Sequence, residues 1–429
     1  MLEYRMKKVS IIGLGYVGLP LALAIEKSGK YNVLGFDISK NQVQKISKKI
    51  CPITDEAAAK DLEKFNLVTT IDEKEIKNSD FYIICVPTPV LSDYTPDYKP
   101  VINAGKSIGK VLNKGQTVIL ESTVNPGTCE EILIPILEKE SGLIAGKDFN
   151  VAMCPERINP GDPKWNVYNI SRNLGSLNQE KTSEVADFYR SFLSAPINEV
   201  SSLKIAEATK IIENAFRDVN IAYVNELAKS FDAMGIDLIE TLKASSNKPF
   251  AFLAHWPGRG VGGHCIAVDP YYLIKRAAES GFDHKFLKLA RNINNSMPQY
   301  TVDRLQDALN SVKLPINGTK IALLGLSYKE NIADLRESPC LEIKDILEKL
   351  GAYLVIYDPY VPELSNVDSL QEAIDESVAV ILATPHNNFK GLEKEIIKRK
   401  RIKVVVDGMN KLDKRFLEEN NIIYRGIGR

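Results

Sequence analysis

Short, almost uninterrupted apolar runs recur through the first part of the chain. They occupy residues 7–12, 31–37, 81–86, 117–120 and 150–154. Mixed segments that are long enough for helices separate them. Continuous apolar runs of this length are typical of strands buried on both faces, as in a parallel sheet that helices cover on each side. The pattern therefore predicts a doubly wound α/β domain.

The pattern changes in the middle of the chain and then returns. From 201 to about 244 apolar positions recur every three or four residues with little glycine, which predicts a long helix, and 271 to about 312 also has a helical pattern. Apolar runs after 320 repeat the order of the first domain. We therefore predict an α/β protein with two doubly wound Rossmann-like domains, joined by a long central helix and a helical middle domain. The predicted boundaries are 1–200, 201–315 and 316–429.

Composition narrows the possible partners and the compartment. The 429 residues contain 55 Lys and Arg and 55 Asp and Glu, so the formal charge is zero and no nucleic-acid partner is expected. Neither a membrane-length apolar run nor a signal segment is evident, which favours a cytoplasmic protein that does not bind membranes. Six cysteines are scattered without paired spacing. We therefore expect free thiols and no metal site.

A glycine-rich turn follows the first apolar run and precedes a helical segment. It reads Gly13-Leu14-Gly15-Tyr16-Val17-Gly18. Strand, glycine turn and helix in this order are typical of dinucleotide binding, because glycine lets the pyrophosphate approach the helix N-terminus. Asp37 ends the second run, 37 − 13 = 24 residues after the first glycine. Unless it is simply a helix cap, its carboxylate would bind the ribose hydroxyls and favour NAD over NADP.

Polar residues stand where later strands end, at the edge of the sheet where ligands bind. Pro87 and Thr88 follow one strand, and Thr123 follows the next. Glu156 and Arg157 follow a third strand, although a solvated turn would look similar. On the central helix, two further polar residues lie four positions apart and so on one face: Lys210 and Asn214. They could hold an oxyanion or simply face solvent.

One cysteine lies in an unusual setting. The segment reads Pro257-Gly258-Arg259-Gly260-Val261-Gly262-Gly263-His264-Cys265 and continues to Asp269. Glycines let the backbone approach a ligand closely, and a thiol can form a thioester, so the segment suggests an acyl-transferring nucleophile. A packing cysteine in a glycine-rich turn is the alternative that these residues alone leave open.

The second predicted sheet differs from the first at its first turn. Gly325 has no companion glycines, so a second NAD site is not expected there. Charged residues cluster instead: Lys329, Asp334 and Arg336. This cluster suits a phosphate or a sugar.

Taken together, these motifs resemble those of the nucleotide-sugar 6-dehydrogenases that act on UDP-glucose and UDP-N-acetylhexosamines. The resemblance covers nearly the whole chain and implies an NAD-dependent enzyme that oxidises C6 of a UDP-sugar twice. It implies that Cys265 captures the aldehyde as a thiohemiacetal that becomes a thioester. Lys210 and Asn214 would then stabilise the oxyanion, and Asp269 and Thr123 would place the hydrolytic water.

The resemblance also implies substrate contacts and a partner. The residues it places near the UDP-sugar are Glu156, Arg157, Lys210, Asn214, Arg259, Gly262, His264, Lys329 and Arg336, with Arg259 reaching a neighbouring subunit's site. The central helix would form a homodimer. His264 before the thiol and Val268 after it favour a UDP-N-acetylhexosamine. The segment 156–162 most closely resembles members that act on UDP-N-acetylglucosamine or its galacto epimer, and UDP-N-acetylglucosamine is the preferred substrate, used for surface polysaccharide precursors. UDP-N-acetylmannosamine, UDP-glucose and a single-step hydroxyacid dehydrogenase are the alternatives.

Overall fold

A computed structural model describes residues 5–53, 55–91, 95–158, 164–263 and 265–429 of the chain. It divides into two compact units. The first unit is Met1–Glu213 with Tyr271–Ser280, and the second unit is Asn214–Pro270 with Gly281–Arg429. Within the described ranges, no helix is long and apolar enough to cross a membrane.

The strands are β1 Lys8–Ile12, β2 Asn32–Phe36, β3 Val68–Thr70, β4 Phe81–Ile84, β5 Thr117–Leu120, β6 Asn150–Met153, β7 Arg172–Ser176, β8 Ile197–Glu199, β9 Lys320–Leu324, β10 Tyr353–Tyr357, β11 Ala379–Leu382, β12 Val404–Asp407 and β13 Ile423–Gly426. The helices are α1 Gly18–Ser28, α2 Lys40–Ser47, α3 Glu56–Lys64, α4 Lys99–Gly109, α5 Ile134–Ser141, α6 Thr182–Arg190, α7 Leu203–Met234, α8 Leu238–Ser245, α9 Asp269–Glu279, α10 Lys285–Asn295, α11 Met297–Ser311, α12 Pro339–Lys349, α13 Leu370–Asp375, α14 Leu392–Ile397 and α15 Lys414–Glu419. A π-helical turn, Cys129–Leu133, leads into α5.

The first unit is built on an eight-stranded sheet in the order β3-β2-β1-β4-β5-β6-β7-β8. The first six strands in this order are parallel to one another, and β7 and β8 run in the opposite direction. Side chains alternate between two buried layers, with Ile11 and Ile83 packing on one face and Ile12 and Ile84 on the other. The strand order reverses between β1 and β4, which opens a crevice at their carboxyl ends.

The second unit contains a five-stranded parallel sheet in the order β10-β9-β11-β12-β13. Its order reverses between β9 and β11, so the two sheets share the same plan. The predicted long helix is α7, which contributes residues to both units. These two doubly wound sheets and the helical middle confirm the predicted fold class. The strands that the sequence pattern did not predict are β3, β7, β8 and β13.

Candidate functional site

The glycine turn after β1 has the conformation that a dinucleotide site needs. Gly13 has φ +93°, and a Cβ there would lie 2.8 Å from the carbonyl oxygen of Cys85, so only glycine fits. A Cβ on Gly15 would meet nothing within 4 Å, which leaves open space above the turn. Gly18 begins α1, and a Cβ there would collide with Gly13. The turn therefore leaves room for a pyrophosphate at a helix N-terminus.

Asp37 is held at the end of β2 by backbone donors. Its carboxylate accepts from Leu14 N at 2.9 Å and from Ser39 N at 2.8 Å, and the side chain is half-buried. Each carboxylate oxygen keeps lone-pair capacity for a ribose hydroxyl. Tyr16 is exposed and Val17 is half-buried beside this turn. These residues fit an NAD molecule.

The loops after β4 and β5 are joined by hydrogen bonds. Thr88 is buried, and its hydroxyl donates to the carbonyl of Thr123 at 2.7 Å. The hydroxyl of Tyr272 donates to the carbonyl of Thr88. Pro87, next to this pair, is exposed. The structure thus brings Thr88 and Thr123 together with Tyr272, which lies three positions after Asp269.

Glu156 lies buried beyond β6, with 8% of its surface exposed. Burial raises the pKa of its carboxyl group, whereas Lys210 and then Arg172 favour the charged form and oppose this rise. The predicted acid and the predicted lysine are therefore in electrostatic contact. Arg157 is engaged elsewhere, because its guanidinium pairs with Glu213 at 2.6 Å.

A buried ion pair that sequence reasoning missed fixes the end of β5. Arg172 donates to Glu121 at 2.8 Å, and the hydroxyl of Tyr189 donates to the other Glu121 oxygen at 2.5 Å. Arg172 is 1% exposed and Glu121 is fully buried. Glu121 immediately precedes Ser122 and Thr123. The network therefore anchors the strand end from which that loop departs.

Glu207 is a second residue that sequence reasoning missed. It lies on α7, three positions before Lys210, and is fully buried. Its carboxylate accepts from Gly127 N at 2.5 Å and from Cys129 N at 2.8 Å. Burial raises the pKa of Glu207 to about 7, against the lowering effect of these backbone donors. Glu207 thus ties the loop that carries Thr123 to the helix that carries Lys210.

The backbone of the predicted nucleophile is hydrogen-bonded to Asp269 in the second unit. Cys265 is exposed, whereas Cys51 is half-buried and the remaining four cysteines are buried. The backbone N–H of Asp269 donates to the carbonyl of Cys265 at 2.8 Å. Asn214 Nδ2 donates to the Asp269 carboxylate at 2.5 Å, and both side chains are buried. The backbone of Cys265 is therefore hydrogen-bonded to the residue whose carboxylate Asn214 contacts, and Lys210 lies one turn before Asn214 on α7.

The glycines before the thiol pack against the first turn of the second sheet. Gly263 N donates to the carbonyl of Arg336 at 2.9 Å, and a Cβ on Gly262 would lie 2.7 Å from Tyr328 Cβ. The Arg336 side chain pairs with Asp334 at 2.6 Å, and Lys329 is half-buried nearby in the chain. His264 lies outside the described residues, as does the segment 159–163.

Arg259 differs from the expectation that it reaches a neighbouring subunit. It is 2% exposed. Its guanidinium donates to acceptors of its own unit, namely Cys340 Sγ at 2.8 Å, Thr384 Oγ1 at 2.9 Å, Tyr328 O at 3.1 Å and Ser327 O at 3.3 Å. A side chain held in this way cannot extend from the surface. In this structure the Arg259 side chain contacts its own unit, and its reach to another subunit stays a prediction.

The first turn of the second sheet has the same geometry as the first turn of the first sheet, but the acid that follows β10 is engaged by hydrogen bonds within the protein. Gly325 has φ +88° and donates to Tyr357 O at 2.9 Å, as Gly13 donates to Phe36 O at 2.8 Å. Asp358 takes the place of Asp37 but is fully buried. It accepts from Leu326 N, Ser327 N and Tyr360 N and contacts His386 Nε2. This sheet therefore has no comparable open carboxylate among these residues for a ribose.

Three segments match domains of one enzyme family. Residues 7–193 match the NAD binding domain of the UDP-glucose/GDP-mannose dehydrogenase family, 204–296 its central domain and 322–414 its UDP binding domain.

Similar proteins are named for different sugar substrates. A UDP-N-acetyl-D-glucosamine 6-dehydrogenase of Pseudomonas aeruginosa is 39% identical over 401 residues, covering 91% of this chain and 93% of the relative. A UDP-N-acetyl-D-mannosamine dehydrogenase of Pyrococcus horikoshii is 36% identical over 430 residues, covering 98% and 99%. A solved structure of the UDP-D-ManNAc dehydrogenase of Pyrococcus horikoshii superimposes with a TM-score of 0.91 at 34% identity, covering 98% of this chain and 99% of that one.

Proposed function

Because the chain belongs to the UDP-glucose/GDP-mannose dehydrogenase family, we propose that it oxidises C6 of a UDP-N-acetylhexosamine twice, giving the UDP-uronic acid. UDP-N-acetylglucosamine is the proposed substrate. The P. aeruginosa relative supports this choice, and His264 and Val268 around the thiol support a UDP-N-acetylhexosamine in general. UDP-N-acetylmannosamine is the rival, since the P. horikoshii relative covers more of the chain.

The family uses NAD, which supplies the hydride acceptor for both oxidations. We assign its binding to the turn Gly13–Gly18, to Asp37 and to the loops that carry Pro87, Thr88 and Thr123. The open space above Gly15 and the half-buried Asp37 carboxylate support this assignment. The carboxylate would repel a 2′-phosphate and so select NAD over NADP.

In the first oxidation the C6 hydroxyl must lose its proton, and carbon C6 must lose a hydride to NAD. The cationic Lys210 and the amide of Asn214 favour the alkoxide that forms, because donors already in place need no reorganisation in a site shielded from water. Glu156 is buried and in electrostatic contact with Lys210, so its charge state helps set the field around the reacting group.

The second oxidation requires the aldehyde to stay on the protein. Cys265 Sγ adds to C6, the aldehyde oxygen gains a proton, and a thiohemiacetal results. Loss of a second hydride and a proton gives a thioester. Water then adds to C6 and the C6–Sγ bond breaks, releasing the carboxylate and the free thiol. Asp269, whose carboxylate Asn214 orients, accepts the proton of this water.

One observation carries this proposal: the exposed thiol of Cys265 is joined through its backbone to the buried Asn214–Asp269 pair. A packing cysteine would be buried like Cys85 or Cys129. The UDP moiety is assigned to the second unit, where Lys329 and Arg336 lie on the turn after β9 and would bind the diphosphate.

We also propose a homodimer through α7 and retain the three domain boundaries predicted from the sequence. Exposed apolar side chains recur along α7 at Ile205, Ile212, Phe216 and Tyr223. Spacings of 7, 4 and 7 place them on one face of the helix. Ile212 and Tyr223 are 59% and 56% exposed in the single chain, and an apolar stripe of this kind marks an interface.

Incubation with NAD and each of four sugars tests the assignment: UDP-N-acetylglucosamine, UDP-N-acetylgalactosamine, UDP-N-acetylmannosamine and UDP-glucose. We expect two NADH per UDP-N-acetylglucosamine and a product with one oxygen more and two hydrogens fewer. One NADH per molecule with an aldehyde product would indicate a single-step dehydrogenase instead. If only UDP-N-acetylmannosamine is oxidised, that sugar is the substrate and the choice of UDP-N-acetylglucosamine is wrong.

A further inference from the structure

The side chain of Arg259 occupies the place where a doubly wound sheet usually binds its ligand. Ser327 and Tyr328 follow β9, and Thr384 follows β11. The guanidinium donates to groups of all three residues, so it lies where the strand order of the second sheet reverses. Ligands bind at this crevice in open α/β sheets. Here a side chain of the same chain fills it.

Arg259 belongs to the loop that ends at the thiol. From Gly258 to Gly263 the other residues are four glycines and Val261, none of which has a side chain long enough to anchor the loop at a distance. The backbone N–H of Arg259 donates to Gly408 O at 2.9 Å, and Nε donates to Cys340 Sγ at 2.8 Å. One residue therefore connects the loop to the ends of β9, β11 and β12 and to the start of α12.

The loop is fixed at both sides of Arg259 as well. Before it, Gly258 N donates to Asn225 Oδ1 at 2.9 Å, and after it Gly263 N donates to Arg336 O at 2.9 Å. A buried guanidinium loses its hydration and is stable only where well-placed acceptors replace water. Its fork of donors holds two carbonyls, a hydroxyl and a sulfur in one geometry. Displacement of the loop would break all four contacts.

We propose that Arg259 is a positioning residue, whose guanidinium in the crevice between β9 and β11 fixes the loop that carries Cys265. The inference rests on the proposed function of Cys265 and replaces the predicted contact of Arg259 with substrate. Cys265 is six positions away along a glycine-rich path, so release of Arg259 lets the segment that carries the thiol shift. Thiol attack is sensitive to displacements of about 1 Å.

The test compares Arg259→Ala, Arg259→Lys and Thr384→Val with the wild type. We measure kcat and KM for the UDP-sugar, and the rate at which iodoacetamide alkylates Cys265 in the ligand-free enzyme, by peptide mass spectrometry. Arg259→Ala should lower kcat about tenfold or more with KM within about threefold, and should change the alkylation rate several-fold. Guanidinium ion at millimolar concentration should recover part of this kcat. Arg259→Lys should be intermediate, because an ammonium cannot reach the same fork of acceptors.

Thr384→Val keeps the cation and removes one acceptor, so it tests the idea even if Arg259→Ala does not fold. A smaller change in the same direction is expected. Arg336→Ala is the matched control, for which KM should rise. If Arg259→Ala raises KM and leaves kcat unchanged, Arg259 contacts the substrate and the proposal is wrong. If kcat and the alkylation rate are both unchanged, Arg259 does not position the loop. The alkylation assay needs no substrate, so it stands even if no UDP-sugar is oxidised and the proposed function fails.

Discussion

The buried carboxylate of Glu207 should make the enzyme less stable as the pH rises. In the unfolded chain this group ionises near its ordinary value of 4.5, and in the folded enzyme at about 7. Between these values the folded state binds more protons than the unfolded state, so the free energy of unfolding decreases with increasing pH. The shift of 7 − 4.5 = 2.5 units corresponds to about 3 kcal/mol that is present below pH 4.5 and lost above pH 7.

Glu207→Gln removes this ionisation and keeps the shape of the side chain. The amide oxygen can accept from Gly127 N or from Cys129 N, so one of the two hydrogen bonds is lost, at a cost of about 1–2 kcal/mol. At pH 8 the variant should therefore be about 1–2 kcal/mol more stable than the wild type. Near pH 4.5 this advantage should disappear, because the wild-type carboxyl is then neutral as well.

Urea denaturation followed by circular dichroism at half-unit steps between pH 4.5 and pH 8 measures this difference. The control is Glu130→Gln, which removes a neighbouring carboxylate that pairs with Lys204 at 2.5 Å and is one-third exposed. It should leave the pH slope nearly unchanged. If Glu207→Gln and the wild type lose stability in parallel across this range, the carboxylate does not titrate near pH 7 and the reasoning from its burial is wrong.

Three further substitutions test the proposed chemistry and assembly. Cys265→Ser should lower formation of the uronic acid by about a thousandfold or more, as measured by product mass, while Cys51→Ala retains activity. Asp37→Ala should reduce the preference for NAD over NADP about tenfold in kcat/KM, because the repulsion of the 2′-phosphate is lost; an unchanged ratio would place the ribose elsewhere. Tyr223→Asp should shift the mass measured by light scattering from dimer to monomer, whereas Ile144→Asp, at an exposed apolar residue outside the stripe, should not.

The apolar pattern predicted the central strands because burial alone determines their composition. β1, β4, β5 and β6 have buried residues throughout or nearly so, and each was evident as an apolar run. β3 and β13 lie at sheet edges, where half of the ladder is unpaired and polar residues are tolerated. β7 contains Arg172, whose burial depends on Glu121, 51 positions earlier. No local pattern shows such a pairing.

In the candidate site, too, the residues with a local sequence signal were predicted and those with distant partners were not. Glycine spacing and a thiol among glycines are local features, and they identified the dinucleotide turn and Cys265. Arg259 illustrates the opposite case. The nearest hydrogen-bond partner of its side chain along the sequence is the carbonyl of Ser327, 68 positions away, and no local pattern reveals it. The role of Glu207 could not be predicted from local sequence either, since its hydrogen-bond partners lie 78 and 80 positions earlier.

The aspartates that follow β2 and β10 have different environments although the turns they contact have the same geometry. Asp37 and Asp358 each accept from the backbone of the first turn, at 2.9 Å and 2.6 Å. Burial would raise the pKa of Asp358, yet the His386 ring and the Leu326 N–H hold it well below its usual range. Its negative charge is thus satisfied internally. We therefore expect a nucleotide on the second sheet to depend on Lys329 and Arg336, since the acid that would hold a ribose is already engaged.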